Sequence, residues 1–196
     1  MATSQTQTYR TMPARVIGWV IVIALAALAA VIGKMEADVG NNPLSPLGIM
    51  SVVAAVVWVV LLRPSVRLGE DRVELRNLVT DVVVPFSRLK SAGHEWALEV
   101  FDNAGSKYSS WAIPVRRELR PRRDVDSYAE ATTRGKTAEG NNAEVVAGRV
   151  EQALQRWKLE GGRSEPGEGA HRTWAWTAIV PFLASIVLAG VTLAFG

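Results

Sequence analysis

The chain has no cysteine and only two histidines, His94 and His171. The first absence removes disulfides, thiolate metal sites and cysteine nucleophiles together, and the second leaves too few imidazoles for a histidine-rich metal centre. Nucleophile-elbow, phosphate-loop and zinc-protease patterns are missing as well. His94 beside Glu95 suggests a base with its orienter, but a histidine in a turn ahead of a strand is ordinarily a polar loop residue. We expect no catalytic residue, no metal and no cofactor. Charge is also absent from three long runs, residues 16–33, 39–62 and 173–196, which contain no Asp, Glu, Lys, Arg or His. Ion and proton routes through a membrane normally need such groups, so transport is disfavoured.

What is present is apolar length. Hydrophobic residues make up 48% of the 196-residue chain, and mean hydropathy is +0.12. Residues 16–33 give eighteen uncharged positions, about 27 Å of helix and enough to cross a bilayer. A cleaved signal peptide is the competing reading, with Ala29, Ala30 and Ala37 near a cleavage-like region, but the apolar run is long for one. Residues 47–62 form a second span and 173–196 a third, opened by Trp174 and Trp176 as interface anchors and carrying Pro181. The spans hold small-xxx-small pairs (Ala26/Ala30, Ala29/Gly33, Ser51/Ala55, Ser185/Ala189, Gly190/Ala194) that permit close helix packing. Arg10 and Arg15 precede span one, while Arg63 and Arg67 follow span two. The loop between these spans carries Lys34 against Glu36 and Asp38. The positive-inside rule then puts the N-terminus and everything between spans two and three in the cytoplasm, with the C-terminus outside the plasma membrane.

Between the second and third spans the pattern changes. Val66 and Leu68, then Val73 and Leu75, alternate with charged residues in the period of a half-buried strand, and Gly69-Glu70-Asp71 reads as the hairpin turn between them. Residues 80–84 are β-branched up to Pro85. Residues 96–100 and 108–113 alternate around Asp102-Asn103-Ala104-Gly105, a second hairpin connection. Five strands are expected in residues 63–114, and such strands need a cover. The helix near residues 146–159 supplies one, because Val146, Val150, Ala153, Leu154 and Trp157 share a face and Gly161-Gly162 ends it. Trp96, Trp111 and Trp157 are expected to bury against one another. Residues 124–142 and 161–172 read as linkers.

The Arg63-Pro64-x-Val66 opening, the Asp71-x-Val73-x-Leu75-Arg76-Asn77 run and Pro85-Phe86-Ser87-Arg88-Leu89 together carry a likeness. The chain resembles the bacterial pleckstrin-homology-like domains of small membrane proteins from high-GC Gram-positive bacteria. Phosphoinositide binders of the wider family tend to carry several basic residues around the first hairpin. Here that turn is acidic, which argues against an inositol-phosphate site. The expected protein is an α+β membrane protein with three transmembrane helices and a small antiparallel pleckstrin-homology-like β-domain covered by a C-terminal helix. Its parts are a tail and two-span hairpin (1–62), the cytoplasmic domain (63–160), a linker (161–172) and the third span (173–196).

One basic cluster stands out. Arg116, Arg117, Arg120, Arg122 and Arg123 with Glu118 give residues 115–123 a net charge of +4. Nucleic-acid binding would want aromatics interleaved with these charges, and there are none. Contact with anionic lipid or with an acidic face of a partner fits better. The expectation is a non-enzymatic, membrane-anchored interaction or scaffolding module, an accessory subunit whose partners are other membrane proteins. The alternative is a peripheral sensor of anionic lipid headgroups working through the arginine cluster.

Overall fold

The computed structural model describes residues 6–114, 142–162 and 169–194. Among these the chain forms eight strands and four helices, grouped into two compact units. The fold is α+β, and its sheets are antiparallel.

One unit comprises Met1–Arg10, Ser65–Asn77 and Asp81–Thr173. Its first sheet has the order β1 (Gln7–Tyr9), β2 (Ser65–Leu68), β3 (Arg72–Arg76), β4 (Thr80–Pro85) and β8 (His171–Trp174). Alternation sets the register. Val66 lies opposite Leu75 and Leu68 opposite Val73, while Val73 also faces Val84 and Leu75 faces Val82, so these paired inward positions of β2, β3 and β4 are all aliphatic. The second sheet is β5 (Leu89–Gly93), β6 (Ala97–Asp102) and β7 (Lys107–Pro114). The β6–β7 hairpin closes at Gly105, whose φ of 84° no side chain would favour, and the Asp102 carboxylate accepts from the Ala104 amide. Beyond this hairpin β7 packs across β2 and β3.

Helix α3 (Ala143–Leu159) lies on β5 and β6. The Asn142 side chain accepts from the Val145 amide at 2.8 Å, satisfying an N-terminal donor. At the other end Gly161 takes φ 74°. Its amide donates to the Lys158 carbonyl at 3.3 Å and the Gly162 amide to that of Trp157 at 2.9 Å, the two bonds of a Schellman stop. The expected stripe faces inward: Val146 and Val150 are fully buried, Leu154 nearly so, and Ala153 and Trp157 sit at the margin. Phe86, Leu98, Val100 and Ile113 complete this core from the strands.

Three expectations need correction here. Residues 63–114 hold six strands rather than five, because Leu89–Gly93 pairs with β6 although Leu-Lys-Ser-Ala-Gly has neither alternation nor strong strand propensity. The polar N-terminal tail contributes β1, whose Tyr9 is buried, and the linker before the third apolar run contributes β8. The tryptophan cluster does not form. Trp96 is 68% and Trp111 63% exposed, and Trp157 instead meets Phe86 edge-on, 6.2 Å between ring centroids. Strand parity explains this, since Trp111 lies between two inward-facing neighbours, Ser110 and Ala112, and must point outward.

The other unit comprises Thr11–Pro64, Leu78–Thr80 and Trp174–Gly196. It holds three helices long and apolar enough to cross a membrane: α1 (Met12–Asp38), α2 (Ser45–Val57, continued by a π-helical turn over Trp58–Leu62) and α4 (Trp176–Ala194). Pro181 sits inside α4 without ending it, whereas Thr173 and Trp174 belong to β8 rather than to that helix. Helix α2 packs against both α1 and α4. Small residues make the approach possible. Gly18 lies under Leu62, Gly33 under the Pro43 carbonyl, and Gly48 under Thr192 and the Ala189 backbone. Of the small-residue pairs, Ala29 and Gly33 are both buried, whereas Gly190 faces open space.

Candidate interaction surface

The arginines expected to meet lipid or partner, Arg116, Arg117, Arg120, Arg122 and Arg123, lie outside the described residues. His94 and Glu95 occupy an exposed turn. Among the described residues no cluster of His, Asp and Glu could hold a metal ion. The chemistry the structure does assemble lies on the three-stranded sheet, on the face turned away from the core.

That face is built by parity. Leu98 and Val100 of β6 point into the core, so Glu99 and Phe101 point out. On β7, Tyr108, Ser110 and Ala112 turn inward while Lys107, Ser109 and Trp111 turn outward. Glu99 faces Gly93 on one side and Ser109 on the other. A Cβ at Gly93 would lie 3.0 Å from the Phe101 ring, a tight approach that glycine avoids. The ring therefore leans over β5 and helps to shield the carboxylate.

Glu99 is 2% exposed, unusual for an acid on an outer face. Lys107 Nζ meets its Oε1 at 2.8 Å and lies 5.8 Å from the Phe101 ring centroid. The hydrogen bond to Glu99 pushes the Lys107 ammonium above its ordinary 10.5, with further attraction from Glu99 and Glu95. Oε2 of Glu99 is buried and has no hydrogen-bond partner among the described residues. Trp96 and Trp111 flank the same end of the β6–β7 pair, where Ala97 faces Pro114 across an irregular stretch of register. An exposed indole thus lies diagonal to a half-satisfied buried acid on this face.

A second concavity, a groove of about 1430 Å³, separates α3 from β1 and the β2–β3 turn. Arg149 stacks 5.3 Å over the Tyr9 ring there. Asp71 is held below its ordinary 3.8 by the hydrogen bond from Arg72, whose Nε and Nη2 reach it at 2.9 and 2.8 Å. Acids and bases alternate along this groove, so it favours no one ligand charge.

Sequence reasoning passed over the outer face, and the missed signal was the parity of Trp111 with Lys107 and Ser109. No protein-family model matches the chain, and neither does any curated protein or solved structure.

Proposed function

We propose that the chain is a non-enzymatic, membrane-anchored interaction module, an accessory subunit that joins a larger membrane assembly through its β-rich unit. The observation that carries this reading is the outer face of β5–β7, where the exposed Trp111 lies diagonal to the buried carboxylate of Glu99, with Trp96 also exposed in the bend before β6. Aromatic residues are among the commonest anchors of protein interfaces, and water is a poor partner for them. The three apolar helices supply the membrane anchor. Two antiparallel sheets followed by a packed helix support a pleckstrin-homology-like domain. Arg10, Arg15, Arg63, Arg67 and Arg172 border one end of each apolar helix and support a cytoplasmic placement for that domain.

Affinity purification of the full-length chain from its own membranes in mild detergent tests this. An integral membrane protein retained in fixed ratio to the chain is the expected result. Recovery of the chain alone, together with full retention on anionic liposomes that is lost at high salt, would instead favour the lipid-sensing alternative.

A further inference from the structure

The buried acid on the outer face adds a chemical specification to the interaction surface. We propose that this face receives an arginine side chain from a partner protein, its guanidinium seated on Glu99 beside Trp111. The inference rests on the interaction-module reading and names the chemistry of the partner.

A buried carboxylate ordinarily has both oxygens satisfied, because an unpaired buried oxygen forfeits the hydrogen bonds it made to water. Here Oε1 is occupied by Lys107 and Oε2 is not. A guanidinium presents two parallel N–H donors in the spacing of a carboxylate, so it can engage both oxygens where a single ammonium engages one. Among the described residues, Glu95 and Glu99 act on Lys107, two carboxylates against one ammonium. Trp111 is the diagonal neighbour of Glu99, two residues beyond its cross-strand partner Ser109. Indole faces are the best side-chain surface for a cation, which suits Trp111 to the flank of such a ligand.

Lys107 is the resident cation. Its side chain is 45% exposed and sits on a flexible four-carbon stem, so it can swing aside and open Glu99 to the incoming group. This gives the two residues opposite signs. Removing Glu99 weakens the site, whereas removing Lys107 strengthens it by deleting a competitor. A purely structural ion pair would behave otherwise, since loss of either member would harm the fold alike.

The test uses the full-length chain in detergent micelles, labelled for NMR and titrated with N-acetyl-arginine amide, with N-acetyl-citrulline amide as the neutral isostere. Saturable shifts of the Trp111 indole with arginine and not with citrulline are expected. Glu99→Gln should weaken the apparent affinity about tenfold or more, Lys107→Met should tighten it, and the double change Trp96→Ala with Trp111→Ala should abolish the response. The tryptophans are exposed, so that double variant keeps the fold even if Glu99→Gln does not. Equal responses to the two amides, or a Lys107→Met protein that binds arginine more weakly, overturns the proposal. The membrane protein retained on purification provides a second readout. Retention unchanged by the tryptophan double variant sinks the arginine site while leaving the interaction module standing. A photo-crosslinker at position 111 that yields only an adduct of twice the chain mass assigns the face to a second copy and overturns the proposal as well.

Discussion

The carboxamide of Asn77 closes the free edge of β7 beside Trp111. Its Oδ1 accepts from the Trp111 amide at 2.8 Å and its Nδ2 donates to the Ser109 carbonyl at 2.9 Å. A side-chain amide thus stands in for one residue of a neighbouring strand, where β7 would otherwise present unpaired backbone groups. The same two bonds hold the segment that projects Trp111 outward.

Asn77→Ala removes both bonds, and Asn77→Asp keeps the acceptor while setting a carboxylate against the Ser109 carbonyl. Each substitution should cost about 1–2 kcal/mol of stability. Hydrogen exchange separates them. The Trp111 amide should exchange fast in Asn77→Ala and remain protected in Asn77→Asp, and equal protection in all three proteins would show that the bond does not hold this edge.

Phe86 and Trp157 form the joint between strands and helix. Phe86 is 1% exposed and Trp157 only partly buried, with ring planes inclined by 68°. Phe86→Ala should cost about 3–5 kcal/mol through a cavity, and Trp157→Ala about 2 kcal/mol because part of its ring already meets water. A double-mutant cycle should return about 0.5–1.5 kcal/mol of coupling, as expected for an edge-on aromatic pair. A coupling of zero in denaturant melts would mean that the contact contributes only area.

How much of this was legible in the sequence depends on how many residues carried each signal. Helix α3 was readable because five apolar positions repeat on one face, and the three apolar helices because each run is long and uncharged. Strand β8 was not: His171, Arg172, Thr173 and Trp174 are all exposed, so nothing in their pattern records the sheet they join. Strand β1 has three residues, of which only Tyr9 is buried. Hydrophobicity alone sends Trp96 and Trp111 to the core, but alternation turns Trp111 outward between Ser110 and Ala112, and Trp96 sits in the bend before β6, where strand parity does not reach. Glu99, between Leu98 and Val100, is legible as outward-facing, but its burial is not, since its cross-strand neighbour Gly93 comes near it only through strand pairing.

Two pairs predict how stability varies with pH. Asp71 titrates below its ordinary 3.8 in the folded chain, so its pairing with Arg72 stabilises above that value and is lost as acid takes the pH through the lowered one. Lys107 titrates above 10.5, so its contribution is complete below 10.5 and disappears as the pH rises through the raised value. Neither changes between about pH 5 and pH 9. The melting difference between wild type and Lys107→Met should therefore be constant over that range and shrink only in strong alkali. A difference that changes near neutrality would assign the titration to another group.

The last prediction concerns the seam between α2 and α4. Gly48 lies where a Cβ would overlap the Thr192 hydroxyl and come within 2.9 Å of the Ala189 Cα. Asn42 Nδ2 and Ser45 Oγ both donate to the Thr192 carbonyl, at 3.0 and 3.2 Å, so the chain around the start of α2 grips the far end of α4 through one oxygen. Ala178, Ser185 and Thr192 are the buried residues of α4 and recur every seven positions, the spacing of a narrow packed stripe. In lipid the hydrophobic effect does not drive helices together, and close backbone approach with a few polar contacts has to do so. Gly48→Ile should push α4 outward, break both bonds to Thr192 and cost about 1–3 kcal/mol. Gly190, on the same helix, has nothing within 4 Å of a Cβ, and Gly190→Ile should leave the seam intact. The check is the thermal aggregation midpoint in detergent, where Gly48→Ile falls well below wild type and Gly190→Ile does not. Equal midpoints for the two variants would show that the Gly48–Thr192 contact does not hold the helices together.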